Sequence, residues 1–284
     1  MVVPVSEPEN TFGAAEPGYR LAAKGRRDAE DVRLDLLEQI FDPLSRRRRE
    51  LVQPGWRCLE VGAGRGSMAV WLAGQVGPSG QVVATDLDVD FLLRVKLPNL
   101  EVCRHNILED PLSTLGLASF DLVCSRLMLF WLAGRQDEAV RRMVECLKPG
   151  GWLVDEDGDW GSITPVDPLH PHYAAYNRVW RSGEWWATRG YDPFFGRKLP
   201  TLFERAGLEN IHHEATASVV RGGSPWALWW QWTLEGIRAW EQAEGRLTPE
   251  READYGVLMP PWTDASFWFL TPLINGCRGQ RLVA

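Results

Sequence analysis

Two groups of residues in this 284-residue chain have the types and spacing that chemistry requires. The first is Leu59-Glu60-Val61-Gly62-Ala63-Gly64-Arg65-Gly66-Ser67, an apolar run that enters a turn of three alternate glycines. Glycine lets a backbone turn sharply and approach a ligand with no Cβ in the way. Asp86 lies twenty residues beyond Gly66, at the end of the next apolar run. A carboxylate there can accept hydrogen bonds from both hydroxyls of an adenosine ribose. The pair predicts an adenosine-containing cofactor without separating a dinucleotide from S-adenosylmethionine. A dinucleotide fingerprint would carry glycine where Ser67 stands.

The second group is Asp155-Glu156-Asp157-Gly158-Asp159-Trp160. Four carboxylates at a strand end could hold a cationic substrate or accept a proton, and crowding would raise some of their pKa values. The same run also reads as a solvated acidic turn. Strand alternation sets Glu156 on the face opposite Asp155 and Asp157. Glu156, Asp157 and Asp159 are candidates for catalysis. His170 and His172, in the loop that follows, are candidates for a general base. His105, His212 and His213 read as structural. The five cysteines show no metal spacing and the histidines lack a third ligand, so no metal site is expected.

These groups need elements to hold them. The spacing of Val32, Leu36, Leu37, Ile40 and Phe41 predicts a helix from Asp28 that ends at Asp42-Pro43, because the residue before proline is pushed out of the helical region. From Trp56 onward, strands alternate with helices. Strands are expected at 57–61, 81–86, 100–104, 120–124 and 152–156, with helices at 68–76 and 137–147 and the turn Pro149-Gly150-Gly151 before the fifth strand. That alternation predicts an α/β fold with a parallel sheet covered on both faces. Further on, a helix is expected at 199–206, a strand at 211–220 and a last strand within 267–274. Trp226, Trp229, Trp230, Leu234, Ile237 and Trp240 form one face of a helix and read as core. The boundaries expected are an arm and helical lid over 1–50, a cofactor-binding core over 51–165, and substrate-side helices with the last strands over 166–284.

Leu59 to Gly66, Ala84-Thr85-Asp86-Leu87-Asp88, Phe120-Asp121-Leu122-Val123 and Leu147-Lys148-Pro149-Gly150-Gly151 together resemble class I S-adenosylmethionine-dependent methyltransferases, in the family's order. Phe195-Gly196-Arg197-Lys198-Leu199-Pro200 resembles actinobacterial members that act on small molecules, antibiotic-tailoring enzymes among them. The resemblance implies a doubly wound, Rossmann-like, mostly parallel seven-stranded sheet with an N-terminal helical lid and aromatic-rich C-terminal helical insertions. It also implies roles. Gly62, Ala63, Gly64 and Gly66 would pass under the methionine part of S-adenosylmethionine, with Glu60 orienting the loop or reaching the amino group through water. Asp86 would take the ribose and Leu87 would pack on the adenine, whose edge Asn106 and Ile107 would address. Many relatives carry Asp where Asn106 stands. Ser125 would offer its carbonyl to the amino group, and Tyr19 and Arg33 would close over the cofactor. Arg126, Phe130 and Trp131 after the fourth strand, Trp160 after the fifth, and Tyr176 would face the acceptor.

Composition narrows the partners. A formal charge of −7 argues against a nucleic-acid binder. The run Arg46-Arg47-Arg48-Arg49 reads as a solvated helix end. No stretch is apolar and long enough to span a membrane, and the start lacks a signal-peptide pattern, so the expected place is the cytoplasm. Fifteen tryptophans are many, and beyond core packing they could line a pocket for a large aromatic ligand. The expected activity is O- or N-methylation of a small specialised metabolite of polycyclic or aryl type, by a monomer or homodimer. The competing readings are a nicotinamide-dependent oxidoreductase and a relative that binds the cofactor without methylating.

Overall fold

The computed structural model describes residues 27–132, 134–181, 184–187 and 191–283. Tyr19 lies outside them. The helix α1 (Arg27–Arg48) comes first, followed by β1 (Arg57–Val61), α2 (Ser67–Val76), β2 (Gln81–Asp86), β3 (Leu100–Arg104) and β4 (Phe120–Arg126). Next are α3 (Gln136–Cys146), β5 (Leu147–Asp159), the short β6 (Thr164–Pro165), α4 (Tyr173–Arg181), α5 (Glu184–Ala187), α6 (Leu199–Arg205) and β7 (Leu208–Thr216). The chain ends with β8 (Val219–Arg221), α7 (Pro225–Ala243), α8 (Pro249–Leu258), β9 (Trp268–Leu270) and β10 (Leu273–Arg281).

Seven strands form one sheet in the order β3-β2-β1-β4-β5-β10-β7. β1 to β5 pair in parallel, and β10 runs against both of its neighbours. The middles of β1, β2, β4 and β5, around Cys58-Leu59, Val82-Val83-Ala84, Leu122-Val123-Cys124 and Leu153-Val154, are apolar and buried, as strands covered by helices on both faces must be. A small second sheet, β6-β9-β8, closes the far side.

Three expectations about elements need correction. The fifth strand is not confined to 152–156: it starts at Leu147, absorbs Pro149-Gly150-Gly151 in a register shift against β4, and continues to Asp159. β10 pairs with it from Trp152 to Asp159, and that ladder keeps the acidic run extended instead of turning. The last strand likewise falls at 273–281, and residues 268–270 and 219–221 belong to the small sheet.

The third correction is α1, which does not end at Asp42-Pro43. An interior proline costs about 3 kcal/mol, since it cannot donate and its ring crowds the preceding turn. The contacts on either side of Pro43 outweigh this. Phe41 packs edge-on against Trp229 at 5.2 Å. Beyond the proline, the end of the helix brings Arg48, and Arg49 just after it, to the sheet. Both are buried, and both pair with Glu156. Half of the arginine run is therefore interior, and only Arg46 and Arg47 are the exposed helix end. Gly276, facing this point on β10, leaves the room that the Arg48 side chain fills.

Candidate active site

Ligands of doubly wound sheets sit beyond the carboxyl ends of the strands where the order reverses, which here is between β1 and β4. The glycine loop leaves β1 at this place. Gly62, Gly64 and Gly66 have φ of +74°, +57° and +88°, a region open to glycine and costly for other residues. At Gly62 a Cβ would also stand 2.8 Å from Cγ of Met128. The N–H groups of Gly62 and Ala63 donate to the Thr85 carbonyl at 2.9 and 3.0 Å, which ties the loop to β2.

Asp86 ends β2. Its Oδ2 accepts from the Gly64 N–H at 2.8 Å and its Oδ1 from the Asp88 N–H at 3.1 Å. Each carboxylate oxygen has a further lone pair for a ribose hydroxyl. Burial raises its pKa, against the pull of the Gly64 N–H. Glu60 is buried beneath the loop, and its Oε2 has no partner. Burial pushes its carboxyl up to about 7, in spite of the Arg126 and Arg49 charges nearby. Leu87 keeps 39% of its surface, as a platform for a flat ring would.

Other predicted cofactor residues are engaged within the protein. Oδ1 of Asn106 accepts from the Leu108 N–H at 3.0 Å, and Ile107 is buried. The Ser125 carbonyl accepts from Arg49 at 3.0 Å. Arg33 forms a buried ion pair with Glu30 at 2.7 Å, one turn away on α1. That helix covers the loop, with Arg65 of the loop donating to the Asp31 carbonyl at 3.0 Å. Left-handed glycines, the strand-end Asp86, an open Leu87 and the unpartnered Glu60 oxygen fit an adenosine cofactor.

On the acceptor side, Asp155, Glu156, Asp157 and Asp159 are all fully buried along β5. They are not a solvated turn. Glu156 lies on the α1 face, where Arg48 approaches at 2.9 Å and Arg49 also donates to it. Burial works to raise its pKa, but the two guanidinium charges prevail and hold it below the usual value. This clamp separates Glu156 from the other three, as alternation requires.

Asp155 accepts from the Ser125 hydroxyl, and burial pushes it up to about 7. Asp157 accepts from the Phe130 N–H at 2.9 Å and the Gly158 N–H at 2.8 Å. Burial, with the Asp155 charge beside it, holds its carboxyl well above the ordinary range. Asp159 pairs with Arg197 at 2.5 Å. Arg126 is committed to α1, with Asp42 at 2.8 Å and Ser45 at 3.2 Å.

Rings continue from this strand end. Phe130 meets Trp160 at 5.9 Å and Trp186 at 5.5 Å, and stacks on Tyr191 at 5.1 Å. Trp131 packs on Phe130 and Tyr191. Trp160 stacks on Trp230 at 5.0 Å, and the network runs through Trp180 and Trp262 to Tyr176 and Phe267. The expected core face of α7 is buried, Trp240 being half-exposed at its end. The sequence does not reveal the pairing state of these rings. The indole N–H groups of Trp160, Trp186, Trp229, Trp230 and Trp262 and the Tyr176 hydroxyl are buried without a hydrogen-bond partner among the described residues. Each such group costs roughly 1–3 kcal/mol.

His170 and His172 pack on Phe267, at 5.2 and 6.1 Å, at the end of this ring network away from β5. Both point Nε2 at Asp264, at 3.4 and 3.6 Å, and His170 also lies 3.1 Å from the Ser266 hydroxyl. None of these partners belongs to β5. Sequence reasoning missed Arg49, just past the end of α1, and Asp42 of α1, the two charges that hold Glu156 and Arg126. A signal was present in the even count of acidic and basic residues in segments far apart, but nothing in the sequence pairs them.

The segment 59–155, from the glycine loop to the first of these carboxylates, matches a family model described as a methyltransferase domain. It is an S-adenosylmethionine-dependent methyltransferase domain. Among curated proteins, the chain resembles methyltransferase str2 of Strobilurus tenacellus, at 32% identity over 165 residues. The match spans 57% of this chain and 57% of that protein. Methyltransferase str3 of the same fungus is 31% identical over 200 residues, 67% of this chain and 66% of its own length. Among solved structures, the [4+2]-cyclase SpnF superposes with a TM-score of 0.53 at 16% identity, covering 87% of this chain and 82% of its own. That likeness is one of fold. Among the described residues of the chain, no helix is long and apolar enough to cross a membrane.

Proposed function

We propose that the protein transfers a methyl group from S-adenosylmethionine to an oxygen or nitrogen of a small specialised metabolite with a polycyclic or aryl scaffold. The observation that carries this reading is the meeting of two surfaces at one sheet end. The glycine loop with Asp86 lies at the ends of β1 and β2, and Asp157 with its roof of rings lies at the end of β5. When bound, the cofactor supplies a sulfonium whose methyl group is electrophilic. Asp86 would hold the ribose, Glu60 the amino-group side, and Leu87 the adenine face.

The chain must bring a nucleophile in line with that methyl and exclude water. The buried rings around Phe130 and Trp160 exclude water. A hydroxyl acceptor would pass its proton to Asp157, where burial and the neighbouring Asp155 favour the protonated form of the carboxyl. The N–H of Phe130 fixes that carboxyl. An amine acceptor, arriving neutral, would need no base before attack. The names of the two fungal relatives support methyl transfer, and the acceptor comes from the site.

Thermal unfolding with S-adenosylhomocysteine and with NAD tests the reading. A ligand at a hundred times its dissociation constant adds about 2.7 kcal/mol. Stabilisation by S-adenosylhomocysteine alone, reduced in Asp86→Asn, is the expected result. Stabilisation by NAD instead would revive the oxidoreductase. Stabilisation with no methyl transferred to any acceptor would favour the non-methylating relative.

A further inference from the structure

The tryptophans divide into two kinds. The Trp180 indole donates to the Trp160 carbonyl at 2.8 Å, as a core tryptophan should. Five others and one tyrosine, in contact with the same rings, have donors with no partner among the described residues: Trp160, Trp186, Trp229, Trp230, Trp262 and Tyr176, none more than 5% exposed. Folded proteins leave few such groups, and each one asks for a reason. Phenylalanine would supply the same apolar body without a stranded N–H. Six unpaired donors in one ring network, over the strand end where the acceptor must lie, indicate partners that come from a ligand.

The chemistry of those donors selects the ligand. An indole N–H can donate and cannot accept, so what it faces must be an acceptor atom. Tryptophan faces also attract cations, so a cationic amine is the serious rival. The carboxyls at the base are mostly engaged: Asp159 pairs with Arg197, Asp157 accepts from two backbone N–H groups, and Asp155 accepts from the Ser125 hydroxyl. One oxygen each of Asp155 and Asp159 has no partner among the described residues, which is the rival's foothold, and the six stranded donors outnumber it.

Resting on the methyl-transfer reading above, we propose that the acceptor is a neutral, flat, oxygen-rich molecule. It inserts among these rings, and its carbonyl and hydroxyl oxygens accept from the stranded indole and phenol donors. Trp160 and Trp230 stack at 5.0 Å, so they must part to admit it. Trp160 follows β5 and Trp230 belongs to α7, so parting them breaks ring contacts but no strand pairing.

Two flat tricyclic probes of similar size separate the alternatives. 1,4-Dihydroxyanthraquinone is neutral and offers oxygens, whereas 9-aminoacridine is a cation. Both are titrated by calorimetry into the full-length protein with S-adenosylhomocysteine present. Binding is also followed through the indole resonances of protein carrying nitrogen-15 tryptophan. The quinone is expected to bind and shift several indole resonances, and the acridine to bind more weakly or not at all. Trp160→Phe and Trp230→Phe keep the rings and remove one donor each. Each is expected to weaken quinone binding about three- to tenfold, the worth of one net hydrogen bond.

The proposal is overturned by any of three results: tighter binding of the acridine, no indole shift at saturating quinone, or an unchanged quinone dissociation constant in both variants. The melting-temperature shift with S-adenosylhomocysteine is read on every sample. Its loss with quinone binding retained would break the methyl-transfer reading and leave the rings as a binding site for such a molecule that is not a methyl acceptor.

Discussion

At the end of β1 the proposed ligand surface is backbone, whereas at the end of β5 it is side chain. The first is made by one contiguous loop, with left-handed glycines and one carboxylate that accepts from that loop. The second is assembled from Phe130, Trp160, Trp186 and Trp230, which come from four separate elements, above carboxyls that the strand buries. Backbone recognition suits a fixed cofactor, because a loop of glycines can hardly be varied without being lost. A wall of rings from distant segments can be changed one side chain at a time, which suits the partner that gives an enzyme its specificity.

Breaking the clamp beneath the side-chain region should have the largest effect. Glu156 is the shared partner of two buried arginines. Removing one member of a buried pair costs about 3–5 kcal/mol, since the remaining charge is left uncompensated in a medium that cannot solvate it. Urea unfolding of Glu156→Ala should show a loss of that order, and Glu156→Gln a similar one. A loss under 1 kcal/mol would show that Arg48 and Arg49 find other partners.

Two other buried carboxyls should dominate the pH dependence. Asp155 is raised to about 7 by burial, and Glu60 to about 7 for the same reason. An unfolded carboxyl titrates near 4. The folded protein therefore holds protons that the unfolded chain releases, and stability is full below about 4 and is lost as pH rises through about 7. Each pH unit of that window costs at most about 1.4 kcal/mol per group. Melting temperatures should fall between pH 5 and 8, and the fall should be shallower in Asp155→Asn, whose amide oxygen can still accept from Ser125. Parallel curves would place the proton elsewhere.

The backbone region can be tested at Gly62. Alanine there must adopt φ near +74° and push into Met128. A non-glycine residue in that region costs of the order of 1–3 kcal/mol. Gly62→Ala should lower stability by about that much and weaken S-adenosylhomocysteine further. Adding Met128→Ala should recover part of the contact cost and none of the φ cost. Full recovery would mean that crowding alone fixes the glycine.

The same contrast explains what the sequence could tell. The first three strands fall on the expected residues, because apolar runs, glycines and a strand-end Asp86 are local signals that neighbours do not override. The acidic run and the arginine run each read as exposed when taken alone. In the fold each supplies the other's counter-charge, and pairing between residues 49 and 156 has no trace in local spacing. The same holds for α1, which runs through Pro43 to reach a partner encoded 108 residues away. The tryptophan stripe of α7 was legible as core, but its unpaired donors were not, because a missing hydrogen bond depends on every segment that might have supplied the acceptor.

The smallest effect is expected from an ion pair with equally good geometry on the outside. Arg205 of α6 makes two hydrogen bonds to Asp137 of α3, at 2.7 and 3.0 Å, with both side chains about half exposed. Water solvates these charges when they separate, and holding two long side chains together costs entropy, so Arg205→Ala should cost about 0–1 kcal/mol. In 1 M salt, where screening acts within about 3 Å, that difference should vanish, while the effect of Glu156→Ala should persist because ions do not reach the buried pair. The two variants remove the same type of interaction at comparable distances. If they cost the same, burial is not what makes the β5 clamp matter, and the division between a side-chain region held by interior charge and a backbone region held by glycine loses its physical basis.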